Sequence, residues 1–108
     1  MKRFVEVARV DHIATGAPVV VIVRETAVAV FKVAERLFAV DDACVRCGSS
    51  IAAGSLCGSE VTCSGCDWRY DVTNGQVNGV PALHIDTFEV RTVGGRVMVA
   101  DKLTSDPD

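Results

Sequence analysis

Through residues 4–40 the chain alternates between short apolar runs and brief polar joints. Phe4, Val5, Val7 and Val10 open with a partly alternating run, and Asp11–Pro18, which holds Gly16 and Pro18, reads as a loop. Val19–Arg24 is rich in β-branched residues and has the length of a buried strand. Beyond the polar Arg24-Glu25-Thr26, Ala27–Val33 resumes with Val28, Val30, Phe31 and Val33. Ala34-Glu35-Arg36 then separates it from Leu37–Val40. Runs of this length with tight joints predict an antiparallel meander. Ala27–Leu37 contains no Gly or Pro and permits a helix on propensity alone. The frequent β-branched residues and hairpin-length joints favour strands.

From Asp41 the pattern changes. Residues 41–79 hold all 5 cysteines, the 1 Trp and the 1 Tyr, together with many of the Gly and Ser residues. Apolar runs become short here, which predicts a segment that an ordinary core cannot hold and that calls for a cross-link. Asn74-Gly75 is a two-residue hairpin signal, because a type I′ turn needs positive φ at both positions; it predicts pairing of Arg69–Val72 with Gln76–Asn78. After Pro81 the strand pattern returns in Thr87–Val93, the turn Gly94-Gly95 and Arg96–Ala100, and the polar Thr104–Asp108 reads as a flexible, frayed tail. No internal repeat or long linker divides the chain.

Composition narrows the function classes. A chain of 108 residues is one domain's worth, and 49% apolar residues exclude wholesale disorder. With only 6% aromatics the core must be aliphatic, mostly Val and Ala. Eleven Lys and Arg against 14 Asp and Glu, a net charge of -3, argue against a nucleic-acid or anionic-membrane binder. The longest apolar stretch, Ala17–Val23, falls far short of the roughly 20 residues of a membrane span. Met1-Lys2-Arg3-Phe4 shows no secretory pattern, so a cytoplasmic location is expected, where an odd set of cysteines means thiols or metal ligands before disulfides.

Four cysteines fall in two matched pairs, Cys44-Val45-Arg46-Cys47 and Cys63-Ser64-Gly65-Cys66, with residues 48–62 between them. Thiolates separated by two residues wrap one side of a tetrahedral metal while backbone amides of the tight knuckle point at the sulfurs. Two such knuckles complete four soft ligands, a set preferred by Zn²⁺, mononuclear iron and iron–sulfur clusters. Gly48 and Gly65 suit the bends. Buried inert thiols seldom arrive as two spaced pairs, and disulfides would require an oxidising compartment. Cys57, in Leu56-Cys57-Gly58, belongs to neither knuckle and reads as an unpaired thiol in a turn.

The run Asp41-Asp42-Ala43-Cys44, then Cys63-Ser64-Gly65-Cys66-Asp67-Trp68-Arg69-Tyr70-Asp71 and Thr73-Asn74-Gly75-Gln76-Val77, resembles the Rieske-type ferredoxins, as do Pro81-Ala82-Leu83, Thr87–Arg91 and Gly95–Val99. The resemblance implies an all-β fold. A larger antiparallel base, a sandwich or barrel, carries a small rubredoxin-like metal-binding subdomain whose two loops hold a 2Fe-2S cluster. On this chain that means one Rieske-like domain over residues 1–108, with the base at 1–40 and 81–103 and the subdomain at 41–80. It implies a soluble electron carrier, not a catalyst, that docks with a reductase and an oxygenase-type terminal enzyme.

At the ligands the chain departs from the family, whose pattern is Cys-x-His in the first loop and Cys-x-x-His in the second, with both His on the outer iron. Cys44 and Cys63 match the family cysteines. Arg46 replaces the first-loop His, with Cys47 one residue beyond it, and Cys66 replaces the second-loop His. The 2 histidines, His12 and His84, lie outside both loops. The usual mixed-ligand centre cannot be built from these side chains, and the expected ligands are Cys44, Cys47, Cys63 and Cys66. Exchanging neutral imidazoles for thiolates makes the site more negative and lowers its reduction potential. Arg46 offsets part of that charge or is simply solvated; Asp67 stands where the family usually has Gly; Trp68 supports the second loop or packs in the core. Paired knuckles favour a single tetrahedral ion, iron or zinc, with a 2Fe-2S cluster as the close alternative.

Two functions follow. One is one-electron transfer through cysteine-ligated iron, with no small-molecule substrate, since no nucleophile, general base or open metal position is evident. The other is a zinc-stabilised, non-redox interaction or subunit module. A nucleic-acid-binding zinc ribbon needs more basic residues than Arg46 and Arg69.

Overall fold

The β-branched runs of the N-terminal part fold as strands, and the helix alternative for Ala27–Leu37 is not realised. In the computed structural model, which describes residues 3–103, β1 is Phe4–Arg9, β2 Val19–Val23, β3 Thr26–Val33 and β4 Arg36–Asp41. Next come β5 Ser55–Cys57, β6 Glu60–Thr62, β7 Arg69–Asp71, β8 Gln76–Val77, β9 Val80–His84, β10 Thr87–Val93 and β11 Arg96–Leu103. Single 3-10 turns lie at Val10–His12 and Ile51–Ala53, and no α-helix occurs among the described residues. No helix there is long and apolar enough to cross a membrane. The frayed tail expected at Thr104–Asp108 lies outside them.

The strands form two antiparallel sheets. A 6-stranded sheet runs β1-β11-β10-β4-β3-β2, and its edge strands β1 and β2 touch, so it curls into a nearly closed barrel. A 5-stranded sheet, β5-β6-β7-β8-β9, lies beside it and carries the cysteine loops. β9 pairs with β8, so the strand-like stretch at Pro81 joins this smaller sheet.

β3 explains how the two sheets meet. Side chains alternate across a strand, and Val28, Ala29, Val30 and Phe31 are all fully buried. Val28 and Val30 face the barrel interior with Ile13, Val23, Ala39, Phe88, Val97 and Val99. Ala29 and Phe31 face the other way, into a second cluster with Val40, Cys44, Ile51, Val61, Cys63, Tyr70, Val72, Val77 and Ile85. Each fully buried Val or Phe contributes about 1.5–3 kcal/mol. This second cluster corrects one expectation: residues 41–79 do have a core. It escaped notice because its apolar residues sit singly in strands of two or three residues and borrow Ala29, Phe31 and Val40 from the barrel wall.

Three hairpins close through two-residue turns with positive φ at both positions: Arg24 (48°) and Glu25 (69°), Ala34 (50°) and Glu35 (65°), and Gly94 (57°) and Gly95 (80°). Only the last has the residues that such a turn favours. At the first two, strand pairing imposes the conformation on residues that resist it by about 1–2 kcal/mol each. The reverse happens at Asn74-Gly75. Tyr70 does pair with Val77, but the turn is longer than two residues. Its bonds run from Asn74 N and Gly75 N to Asp71 O (3.3 and 2.7 Å), and of the two residues only Gly75 has positive φ. Asp71 Oδ1 accepts from Thr73 N at 2.9 Å and Thr73 Oγ1 at 2.6 Å, which fixes the turn one residue earlier.

Candidate metal centre

The cysteine pairs sit on two loops with the same backbone. In the first, Cys44 N donates to Ser49 O and Gly48 N to Cys44 O, both at 3.0 Å. In the second, Cys63 N donates to Trp68 O at 2.7 Å and Asp67 N to Cys63 O at 3.0 Å. Each knuckle aims an amide at its leading sulfur: Arg46 N at Cys44 Sγ and Gly65 N at Cys63 Sγ, both 3.4 Å. Each ends in a left-handed residue, Gly48 (φ 78°) in one and Asp67 (φ 64°) in the other. Asp67 therefore does adopt the conformation for which the family uses glycine; Asp tolerates it better than most residues.

The first loop is sutured to the barrel by Asp42, whose N donates to Ala27 O (3.0 Å) and whose O accepts from Ile51 N (2.6 Å). Its buried carboxylate accepts from Ala52 N at 2.8 Å. The second loop springs from β6 and returns into β7, whose Tyr70 lies in the shared core.

Folding brings all four expected sulfurs together, within 4.8 Å of one another. Cys44 Sγ lies 3.7 Å from Cys66 Sγ, and Cys47 Sγ 3.5 Å from Cys63 Sγ. Cys44 and Cys63 are buried, Cys66 is half-buried and Cys47 reaches the surface. His12 and His84 are exposed and outside the cluster, as is Cys57 at the end of β5. No imidazole is available to make a mixed set. Four thiolates suit a soft tetrahedral ion or an all-cysteine iron–sulfur cluster.

The thiols compete for ionisation. Burial pushes Cys44 up, but the Tyr70 hydroxyl and the backbone amides of Cys47 and Arg46 outweigh it and bring the thiol down to about 6. The Ser49 hydroxyl and amide lower Cys47. Burial raises Cys63. The Trp68 amide favours a Cys66 thiolate, yet burial and the sulfurs of Cys44, Cys47 and Cys63 override it and push the thiol up to about 12. Four thiols this close oppose one another's ionisation, and a cation among the sulfurs would relieve that opposition.

Two residues that sequence reasoning did not assign to the site contribute. Tyr70 Oη accepts from Val45 N at 3.2 Å and lies 3.1 Å from Cys44 Sγ. Against a Cys44 thiolate, which can only accept, the hydroxyl is the donor. Burial and the neighbouring Cys44 raise the phenol's pKa, so it keeps that proton. Ser49 is the other, through Cys47. The available signal was position: Tyr70 is the 1 tyrosine of the chain and lies shortly after the second knuckle, in Cys66-Asp67-Trp68-Arg69-Tyr70. Arg46 is exposed and stacks on the half-buried Trp68, 5.0 Å from the ring centroid, so a cation–π contact ties the first knuckle to the closing residue of the second.

Comparison with solved structures places this architecture. The ferredoxin of carbazole 1,9a-dioxygenase from Nocardioides aromaticivorans IC177 is 25% identical, with a TM-score of 0.85 over 92% of this chain and 98% of that one. A ferredoxin from Sphingomonas yanoikuyae B1 is 23% identical, with a TM-score of 0.82 over 90% of this chain and 97% of its own. A protein from Mycobacterium tuberculosis described as a putative NADH-dependent nitrite reductase small subunit is 19% identical, with a TM-score of 0.84 over 93% and 96%. No match is found among curated proteins. The family model for the Rieske [2Fe-2S] domain matches residues 3–92, which takes in both knuckles, nine whole strands and all but the last residue of β10, and the chain belongs to that family.

Proposed function

We propose that this protein is a one-electron carrier whose iron centre is held by Cys44, Cys47, Cys63 and Cys66. The supporting observation is the gathering of four sulfurs at the tip of a Rieske-family fold with Cys47 at the surface. Bound there, iron would supply a reversible one-electron couple. The protein's own part is to hold the sulfurs on two amide-lined knuckles, bury Cys44 and Cys63 against the core, and leave one edge within reach of a partner. Residues 41–80, with the rest of β9 added to their sheet, act as the metal-binding subdomain on a base formed by 1–40 and by β10 and β11 of the expected 81–103. The similar ferredoxins include one from an oxygenase complex, which supports an oxygenase-type acceptor. A reductase would be the donor, and the carrier would work in the cytoplasm. The net charge of -3 would steer the carrier toward basic partners.

A second reading, a zinc-stabilised subunit module, is favoured by the replacement of both imidazoles with thiolates, which makes a closed site that zinc would fill without redox activity. Visible absorption decides between them. Protein purified from cells grown in iron-rich medium is expected to be coloured and to bleach with dithionite. Colourless protein with stoichiometric zinc overturns the electron-transfer reading.

A further inference from the structure

We propose that the centre is mononuclear: one tetrahedral ion bound by all of Cys44, Cys47, Cys63 and Cys66 replaces the two-iron cluster for which the family is named. The proposal rests on the same four-cysteine site as the electron-transfer reading, but it concerns how many metal ions that site holds.

Three observations carry it. The first is size. Four sulfurs at about 2.3 Å from one ion stand about 3.8 Å apart along the edges of their tetrahedron. The contacts of 3.7 and 3.5 Å, within an outer limit of 4.8 Å for the whole set, match that figure. A two-iron cluster interposes a second metal and bridging sulfides, so ligands on different irons must stand further apart than such an edge.

The second is pairing. In the family each iron takes one ligand from each loop, the leading cysteines going to the inner iron and the trailing residues to the outer one. Here no such division shows. Cys44 stands 3.7 Å from Cys66 and Cys47 3.5 Å from Cys63, and every other pair also lies within 4.8 Å. The leading cysteines are not set apart from the trailing ones, as an inner and an outer iron would require; the four sulfurs surround one point.

The third is the packing of the loops on each other. A Cβ built on Gly65 would lie 2.8 Å from Cys47 Sγ and closer still to Ser49 Oγ. The knuckles therefore meet at a glycine, and the Arg46–Trp68 stack joins them a second time. Loops in contact beside the sulfurs hold the two knuckles at the spacing that one shared ion sets.

The test is a Co²⁺ titration of the chelator-stripped full-length chain, followed by iron, zinc and acid-labile sulfide analysis of protein as isolated. The tetrahedral Co²⁺–thiolate absorption is expected to saturate at one equivalent, and the isolated protein to hold one metal and no labile sulfide. Saturation at two equivalents, or two irons with two sulfides per chain, overturns the proposal while leaving electron transfer standing. One zinc without iron supports the mononuclear site and overturns electron transfer. Gly65→Ala is expected to weaken Co²⁺ by about 10–100-fold, the range for residues that support metal ligands. Affinity equal to the parent's would remove the packing argument and with it the proposal.

Discussion

The first knuckle, Cys44–Ser49, and the second, Cys63–Trp68, share hydrogen bonds, sulfur-directed amides and a left-handed residue at the same place, yet they are supported differently. The first is tied from below: Asp42 pins its base to the barrel, and Tyr70 reaches up from β7 to hold Val45 N and Cys44 Sγ. The second has no such brace among its described hydrogen bonds and relies on continuity with β6 and β7 and on Trp68 packed against the core. Gly48 fits the left-handed position without strain, whereas Asp67 occupies it under mild protest. One backbone can thus be reached from two sets of side chains, because what the metal needs is sulfur position and amide direction, and several supports can deliver both.

This contrast can be broken or sharpened by substitution. The largest effect is expected for the buried leading cysteines: Cys44→Ser and Cys63→Ser should abolish metal binding and forfeit most of a binding energy on the order of 10 kcal/mol. Cys47→Ser, at the surface, should retain a weakened site; metal analysis and thermal melts check the order. Tyr70→Phe comes next. It leaves Val45 N unpaired, an expected loss of about 1–3 kcal/mol, and removes a donor from Cys44 Sγ, so voltammetry of the iron form should show a lower reduction potential. A third test exchanges the left-handed residues. Gly48→Ala should destabilise by about 1–2 kcal/mol, while Asp67→Gly should be neutral or stabilising by up to about 1 kcal/mol, measured by denaturant melts. Arg46→Ala is expected to have the smallest effect, about 0.5–1 kcal/mol for an exposed cation–π contact. A larger loss would mean that the Arg46–Trp68 contact outranks the supports below it.

Much of this was written in the order of residues. A β-branched run made β2 legible, apolar runs between polar joints marked β3 and β4, Gly94-Gly95 marked the β10–β11 turn, and doubled cysteine spacing marked the site. What escaped was decided by neighbours distant in sequence. Arg24-Glu25 and Ala34-Glu35 read correctly as polar joints, but not as positive-φ turns, because the flanking strands dictate their conformation. Asn74-Gly75 carries a strong signal that the Asp71 carboxylate diverts. The hairpin β5–β6 went unseen, since strands of three residues are too short for period two to show. Tyr70 and Ser49 could not be assigned to the site until the loops were folded onto β7 and onto each other.

The double-sided burial of β3 has a practical consequence. The floor on which the cysteine loops rest is made partly of Ala29, Phe31 and Val40, side chains encoded upstream of the loops themselves. A peptide spanning only the cysteine segment would expose the apolar side chains that now rest on that floor, and a graft onto a foreign sheet would have to bring those upstream positions along. Portability of this centre is therefore limited by a wall it shares with the barrel, whatever ion it holds.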